Sequence, residues 1–281
     1  MERSRSKRRN IKKSNKTGPK ADLNSKIKTF IRVRPMSQLE VSKGAESCVA
    51  FRETDSSVYI TKTGKTMILS GAQNSGQSSL DETVMNPDIL NFSFDTVFGP
   101  KSTQNSIFEK AAKPAVSNLL KGYNSSIFAF GSTGTGKTYT ISGYGEQKGL
   151  LPRILERVLS EAESLRKSNK TCEVSLSFLE IYNEELFDLG IAQSKRGQKS
   201  AVKLRQDANK SVFVEGLTET PISSVGEGER LIQAAASLRS TSQTRMSVAS
   251  SRSHMVYTIK LIVQVDKNSK KSNCKILFFQ G

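Results

Sequence analysis

The eight residues Gly131-Ser132-Thr133-Gly134-Thr135-Gly136-Lys137-Thr138 satisfy the spacing G-x-x-x-x-G-K-[ST]. Each type has a chemical reason to be there. The glycines let the backbone curl so that successive N–H groups converge on an anion, and a helix starting at the lysine adds the positive end of its dipole. Lys137 then offers a point charge to the β- and γ-phosphates of a nucleotide, and the Thr138 hydroxyl offers a ligand to Mg²⁺. Ser132, Thr133 and Thr135 complete the phosphate-facing loop. A chance glycine-rich turn would need no flanking pattern, whereas residues 126–130 (Ser-Ile-Phe-Ala-Phe) form a short apolar, strand-like run directly before this loop. The chain is expected to bind a nucleoside triphosphate, ATP, with Mg²⁺.

A second group of polar residues lies far along the chain, at Ser250-Ser251-Arg252-Ser253-His254. Two hydroxyls beside a guanidinium suit a loop that senses a γ-phosphate. A serine can ligate Mg²⁺ or hold the attacking water, and arginine presents a planar fork of donors. Taken alone, the same residues also make an ordinary serine-rich turn. His254 is the single histidine, which nearly excludes histidine-dependent triads and histidine-rich metal sites. Cys48, Cys172 and Cys274 are widely separated and lack metal-ligand spacing, as reduced thiols of a cytosolic or nuclear protein would be.

The elements that must hold these groups can be read from periodicity. A strand is expected over 27–33, halted by Pro35, and a loop over 71–90, with strand pattern resuming at 91–95. Apolar pairs at 107/108, 111/112, 115/116 and 119/120 predict a helix from Ser102, and Pro114 inside it predicts a kink or a break. A second helix is expected after Pro152, a long strand over 172–182, and a polar, basic hairpin tip or loop over 190–200. Short strands follow at 202–204 and 212–214, then a helix over 226–238, a Ser/Thr-rich stretch over 237–253, and strands at 255–265 and 275–279. Alternating strands and helices predict an α/β fold of the P-loop type: one central, mostly parallel or mixed sheet with helices on both faces.

The 281 residues carry a net charge of +17. Residues 1–28 hold eleven Lys/Arg against Glu2 and Asp22. Residues 1–25 are therefore expected to be a disordered basic extension, with 26–281 forming the folded domain. Such a tail is a solvated segment, a nuclear-localisation signal or a tether to a polyanion, and charge alone does not choose among nucleic acid, acidic protein tails and plain solvent. No apolar run is long enough to span a bilayer, and none follows the N-terminal charges, so neither membrane insertion nor a secretory signal is expected. No nucleic-acid module or aromatic stacking platform is visible.

With the P-loop and the Ser-Ser-Arg-Ser-His run in place, the chain resembles a kinesin motor domain from about Lys26 to its last residue. The matching segments are Arg32-Val33-Arg34-Pro35, residues 92–98 with Gln104, residues 127–131 leading into the P-loop, Gly149-Leu150-Leu151-Pro152-Arg153, residues 177–189 and residues 214–218. The resemblance implies an ATP-driven microtubule motor of the cytoplasm and cytoskeleton. It places Arg32, Arg34 and Pro35 around the adenine, with Arg32 and Pro35 flanking the base and Tyr139 stacking on it. It assigns Thr138 and Ser251 to the metal, Ser250 and Ser251 to switch I, and Arg252 to the latch towards switch II. It reads Lys203, Arg205 and residues 195–199 as a tubulin-facing region, although a solvated basic face explains them equally well. Glu180, Tyr182 and Asn183 are signatures to which a structural role in the sheet and its hairpin is assigned. Spacing around Phe98-Gly99-Pro100 and Gly122-Tyr123-Asn124 most resembles the tetrameric spindle kinesins.

Two departures from the family pattern stand out. Ser247 occupies a position where an Asn usually opens switch I. At the other end, the strand over 275–279 leads to Gln280-Gly281 where the family continues Asp-Leu-Ala-Gly-Ser-Glu. An incomplete switch II implies weak hydrolysis and an uncovered sheet face. The alternative to a working motor is therefore a kinesin-like chain that holds nucleotide or tubulin without turnover, and a third reading is a basic nucleic-acid-binding P-loop protein.

Overall fold

The computed structural model describes residues 27–61, 88–190, 200–208, 210–244, 253–264 and 271–281. The basic extension, the loop expected within 71–90 up to residue 87, and the hairpin tip at 191–199 lie outside the described residues. Strand β1 (Phe30–Arg32) is shorter than the predicted 27–33 run. Beyond it, Ser37 and Glu40 close a reciprocal capping box on the short helix α1 (Gln38–Ser42). Strands β2 (Val49–Arg52), β3 (Ser57–Thr61) and β4 (Ile89–Ser93) form a separate three-stranded antiparallel sheet. β4 begins two residues before the strand pattern recognised at 91. β5 (Thr96–Phe98) then pairs in parallel with β1, so that Arg32 lies opposite Phe98.

The helix expected from Ser102 starts at Gln104, capped by the Thr103 hydroxyl. Pro114 neither breaks nor simply kinks it. Helix α2 (Gln104–Ile107) passes into a π-helical turn at Phe108–Ala112 and then into α3 (Lys113–Leu120). Proline lacks an N–H and its ring crowds the carbonyl four residues back. The wider turn, with the Lys113 N–H bonded to the Phe108 carbonyl, shifts the ladder by one residue ahead of Pro114.

After α3 come β6 (Ser125–Ala129), the P-loop, α4 (Lys137–Ile141) and a two-stranded ribbon, β7 (Gly143–Tyr144) with β8 (Gln147–Lys148). Helix α5 (Leu150–Lys167) begins before Pro152, not after it as expected. The first N–H groups of a helix have no intrahelical partner, so a proline in the first turn removes nothing. Leu151, Ile154, Leu155 and Val158 of α5 are fully buried, each such side chain contributing roughly 1.5–3 kcal/mol of burial.

The main sheet has eight strands. β9 (Thr171–Tyr182) turns directly into β10 (Glu185–Asp188). Next come β11 (Ser200–Gln206), β12 (Val212–Glu215) and β13 (Thr220–Ile222). Helix α6 (Val225–Thr244) takes up the start of the Ser/Thr-rich stretch, and β14 (Ser253–Gln264) and β15 (Ser272–Gln280) complete the sheet. The order is β12-β11-β10-β9-β14-β15-β6, with β13 also on β9. β15 and β6 are parallel while β14 runs antiparallel to both of its neighbours, β9 and β15, so the sheet is mixed. One continuous core joins Val174, Leu176 and Phe178 of β9, Ile259 and Leu261 of β14, and Ile276 and Phe278 of β15 to α3, α5 and α6. These alternating residues define one face. On the other face of β6 and β15, Phe128 stacks on Phe279 with centroids 4.5 Å apart.

Candidate nucleotide site

β6 delivers the chain to the P-loop, and two features set the loop's shape. Gly131 and Gly136 have φ of +152° and +91°, a region costly for any residue with a Cβ. At Gly131 a Cβ would also meet Thr135 Oγ1 at 2.7 Å, whereas at Gly136 the space is open and only the backbone demands glycine. Within the loop the Thr135 hydroxyl donates to the Ser132 carbonyl at 2.8 Å. Lys137 Nζ folds back over the loop and donates to the carbonyls of Gly131 and Ser132 at 2.7 and 2.9 Å. Helix α4 has only five residues, so the ammonium and the loop N–H groups, rather than a long helix dipole, make this spot cationic.

A buried polar hub ties β1 to the P-loop helix. Arg32 Nη1 donates to Gln104 Oε1 at 3.1 Å and to Thr140 Oγ1 at 2.9 Å, while Gln104 Nε2 donates to the Tyr139 carbonyl at 2.7 Å. Gln104 is only 1% exposed. The Arg32 guanidinium lies 4.8 Å from the centroid of the Tyr139 ring. Burial pulls Arg32 below its ordinary value, against the opposing pull of Tyr139. Arg34 points elsewhere: it makes a two-pronged ion pair with Glu40 at 2.6 and 2.7 Å and donates to the Pro35 carbonyl. Thus Arg32 and Tyr139 are brought together beside the loop, while Arg34 and Pro35 form an exposed corner stapled to α1.

The P-loop opens onto a cleft of about 1080 Å³ that α6, β14 and the end of β15 also line. Lys148 crosses its edge with its ammonium between Glu156 and Glu229, and those carboxylates raise its pKa. Arg239 donates to the Ser253 hydroxyl and carbonyl at 3.2 and 3.0 Å, fastening α6 to the first residue of β14. Ser250, Ser251 and Arg252 lie outside the described residues, as does Ser247. The flanking Arg239 and His254 both line the cleft. Gln280 Nε2 donates to Thr138 Oγ1 at 2.8 Å across 142 residues of sequence.

Several residues that matter to this geometry were not assigned roles from sequence: Gln104 as the hub, Gln280 as the partner of Thr138, and Lys148 with Glu229. A glutamine immediately after the helix-capping Thr103, where a solvated polar residue is ordinary, was the available signal for the first. Asn183 has a plainer explanation. Asn183 and Glu184 have φ of +51° and +64° and join β9 to β10 by a two-residue turn, with Tyr182 opposite Glu185. This left-handed turn favours Asn at its first position. Glu180 is buried at 2% exposure within β9, which agrees with a structural role.

The donor set fits a polyphosphate. For Mg²⁺ it supplies the Thr138 hydroxyl, and among the described residues no group of three or more His, Cys, Asp or Glu side chains gathers to hold a metal. A glycine loop lies between a sheet strand and a helix, with its lysine and threonine in place, in an α/β fold with a central mixed sheet. The kinesin motor domain family matches residues 32–279. The chain belongs to that family. It is 34% identical over 276 residues to the kinesin-like protein KIP1 of Saccharomyces cerevisiae, covering 89% of this chain and 23% of the relative. It is 32% identical over 250 residues to kinesin-related protein 7 of Dictyostelium discoideum, covering 88% and 18%. It is 32% identical over 256 residues to the kinesin-like protein KIN-5B of Oryza sativa subsp. japonica, covering 86% and 22%. A solved fast-kinesin structure superposes with a TM-score of 0.72 at 26% identity, covering 90% of this chain and 64% of that one. The chain therefore spans about a fifth of the length of these curated relatives.

Proposed function

We propose that this chain is the nucleotide-binding part of an ATP-dependent microtubule motor acting in the cytoplasm on the cytoskeleton. The observation that carries the reading is the P-loop geometry in a chain of the kinesin family: Lys137 poised over the loop carbonyls, and Thr138 facing the cleft beside it. ATP would exchange the carbonyl contacts of Lys137 for phosphate oxygens, with the loop N–H groups completing the cradle. Tyr139 presents a ring beside Arg32 for the base, and Pro35 would flank it from the exposed corner after β1. Thr138 and Ser251 would offer their hydroxyls to Mg²⁺, a neutral pair that would hold the metal weakly, and the metal when bound neutralises charge on the phosphates. Ser250 and Ser251 would form the γ-phosphate-sensing switch, with Arg252 as its latch. Lys203 and Arg205 on the exposed β11–β12 hairpin, the latter paired with Glu215 at 2.9 Å, support a face for the acidic surface of tubulin. Within the family, the Phe98-Gly99-Pro100 and Gly122-Tyr123-Asn124 spacing supports the tetrameric spindle branch.

One observation favours a second reading, nucleotide or tubulin binding without turnover: the partner of Thr138 is the neutral Gln280. Co-sedimentation with microtubules, followed by ATP turnover with and without them, tests both readings. The motor reading expects pelleting and stimulated turnover. Pelleting without turnover selects the second reading, and preference for DNA over microtubules would overturn both.

A further inference from the structure

Thr138 is the loop hydroxyl on which a P-loop seats its metal, and in P-loop hydrolases an aspartate completes the protein's hold on that metal. In this chain the residue bonded to Thr138 Oγ1 is Gln280. The sheet itself puts it there, because β15 runs parallel to β6 with Gln280 opposite Ala129, the last residue of β6 and two positions before Gly131. Gln280 is 2% exposed, lines the cleft, and has an Oε1 that is buried without a hydrogen-bond partner among the described residues. Such an atom is costly unless something entering the site supplies a donor.

The chemistry of this contact runs against a tight metal seat. An amide is neutral whichever of its two atoms faces Thr138, so it contributes no charge to balance a divalent cation. Its N–H takes one lone pair of the threonine hydroxyl, leaving the hydroxyl proton free to donate to a phosphate oxygen. A carboxylate at the same place would attract the metal and repel bare phosphates. The amide does neither, and both differences reduce the dependence of nucleotide binding on metal. Lys137 and the loop N–H groups still attract phosphate directly.

We infer, building on the nucleotide-site reading above, that Gln280 is a positioning residue that turns the Thr138 hydroxyl towards phosphate. The chain consequently binds nucleoside di- and triphosphates with an affinity nearly independent of Mg²⁺. The test titrates the whole chain with fluorescent ADP and ATP analogues in excess Mg²⁺ and in excess EDTA, for the wild type and for Gln280→Asp. The wild-type Kd should change less than about threefold on chelation, whereas Gln280→Asp should become metal-dependent by about tenfold or more. A wild-type loss of about tenfold in EDTA, or equal metal sensitivity in both proteins, would overturn the inference while leaving the nucleotide site intact. Absence of binding in both buffers would remove the nucleotide-site reading and this inference with it. The wild-type comparison needs no substitution, so a poorly folded Gln280→Asp would leave it decisive.

Discussion

Replacing Gln104 by alanine removes the side chain that joins β1 to the P-loop helix. Its amide makes a neutral bond to the Tyr139 carbonyl at 2.7 Å and accepts a charge-assisted bond from Arg32 at 3.1 Å. The first contributes about 1 kcal/mol and the second, with Arg32 part-buried, about 1.5 kcal/mol. The variant also leaves the Tyr139 carbonyl without this donor, which places the total at roughly 2–3 kcal/mol. For a chain of this size that corresponds to a melting midpoint lowered by roughly 4–12 °C. Thermal denaturation followed by far-UV circular dichroism measures it, with ATP titration of the folded variant alongside. Affinity should fall as well, because Arg32 and Tyr139 lose their common support. A midpoint within about 1 °C of wild type would refute the claim that this buried amide organises the site.

Other expectations follow from the same geometry. Gly136→Ala meets no neighbouring atom but must adopt φ of +91°, so denaturant titration should show a loss of about 1–2 kcal/mol with unchanged m-value. Asn183→Ala, in the left-handed turn between β9 and β10, should cost a smaller amount of about 1 kcal/mol in the same assay. The Glu40 carboxylate is held well below its ordinary value, first by Arg34 and then by the Ser37 N–H and hydroxyl. Its stabilising contribution is therefore complete above the unfolded value of 4.5 and is lost as pH falls from there towards the lower folded value. Wild type should exceed Glu40→Gln in stability at neutral pH by a small, salt-sensitive margin, and melts across an acid series should show that margin closing only below the ordinary carboxylate range.

The P-loop was legible because its information is local: eight consecutive residues specify the turn, and the apolar run before them specifies the strand. The long strands β9, β14 and β15 and the helix α5 were legible for the same reason, since alternation and four-residue spacing report burial of one face. Helix boundaries near prolines were less so. Pro152 costs nothing in a first turn, and Pro114 is absorbed by a π turn that no periodicity announces. The hub around Gln104 and the Gln280–Thr138 bond were invisible as contacts, because they join residues 35 to 142 positions apart through sheet register. A buried glutamine has the same letter as a solvated one. Only the placement of β15 beside β6 reveals what Gln280 meets.

The central claim is that Lys137 and its loop hold the phosphates of ATP. Isothermal titration of ATP into the wild-type chain and into Lys137→Ala, with both proteins checked for equal secondary structure, tests it most directly. Losing one charge-assisted phosphate contact corresponds to about 1.5–3 kcal/mol, or roughly a tenfold to hundredfold weaker Kd. Saturable one-site binding by the wild type, weakened by that factor in the variant, is the predicted result. No binding by the wild type, or equal affinity in the two proteins, would contradict the account.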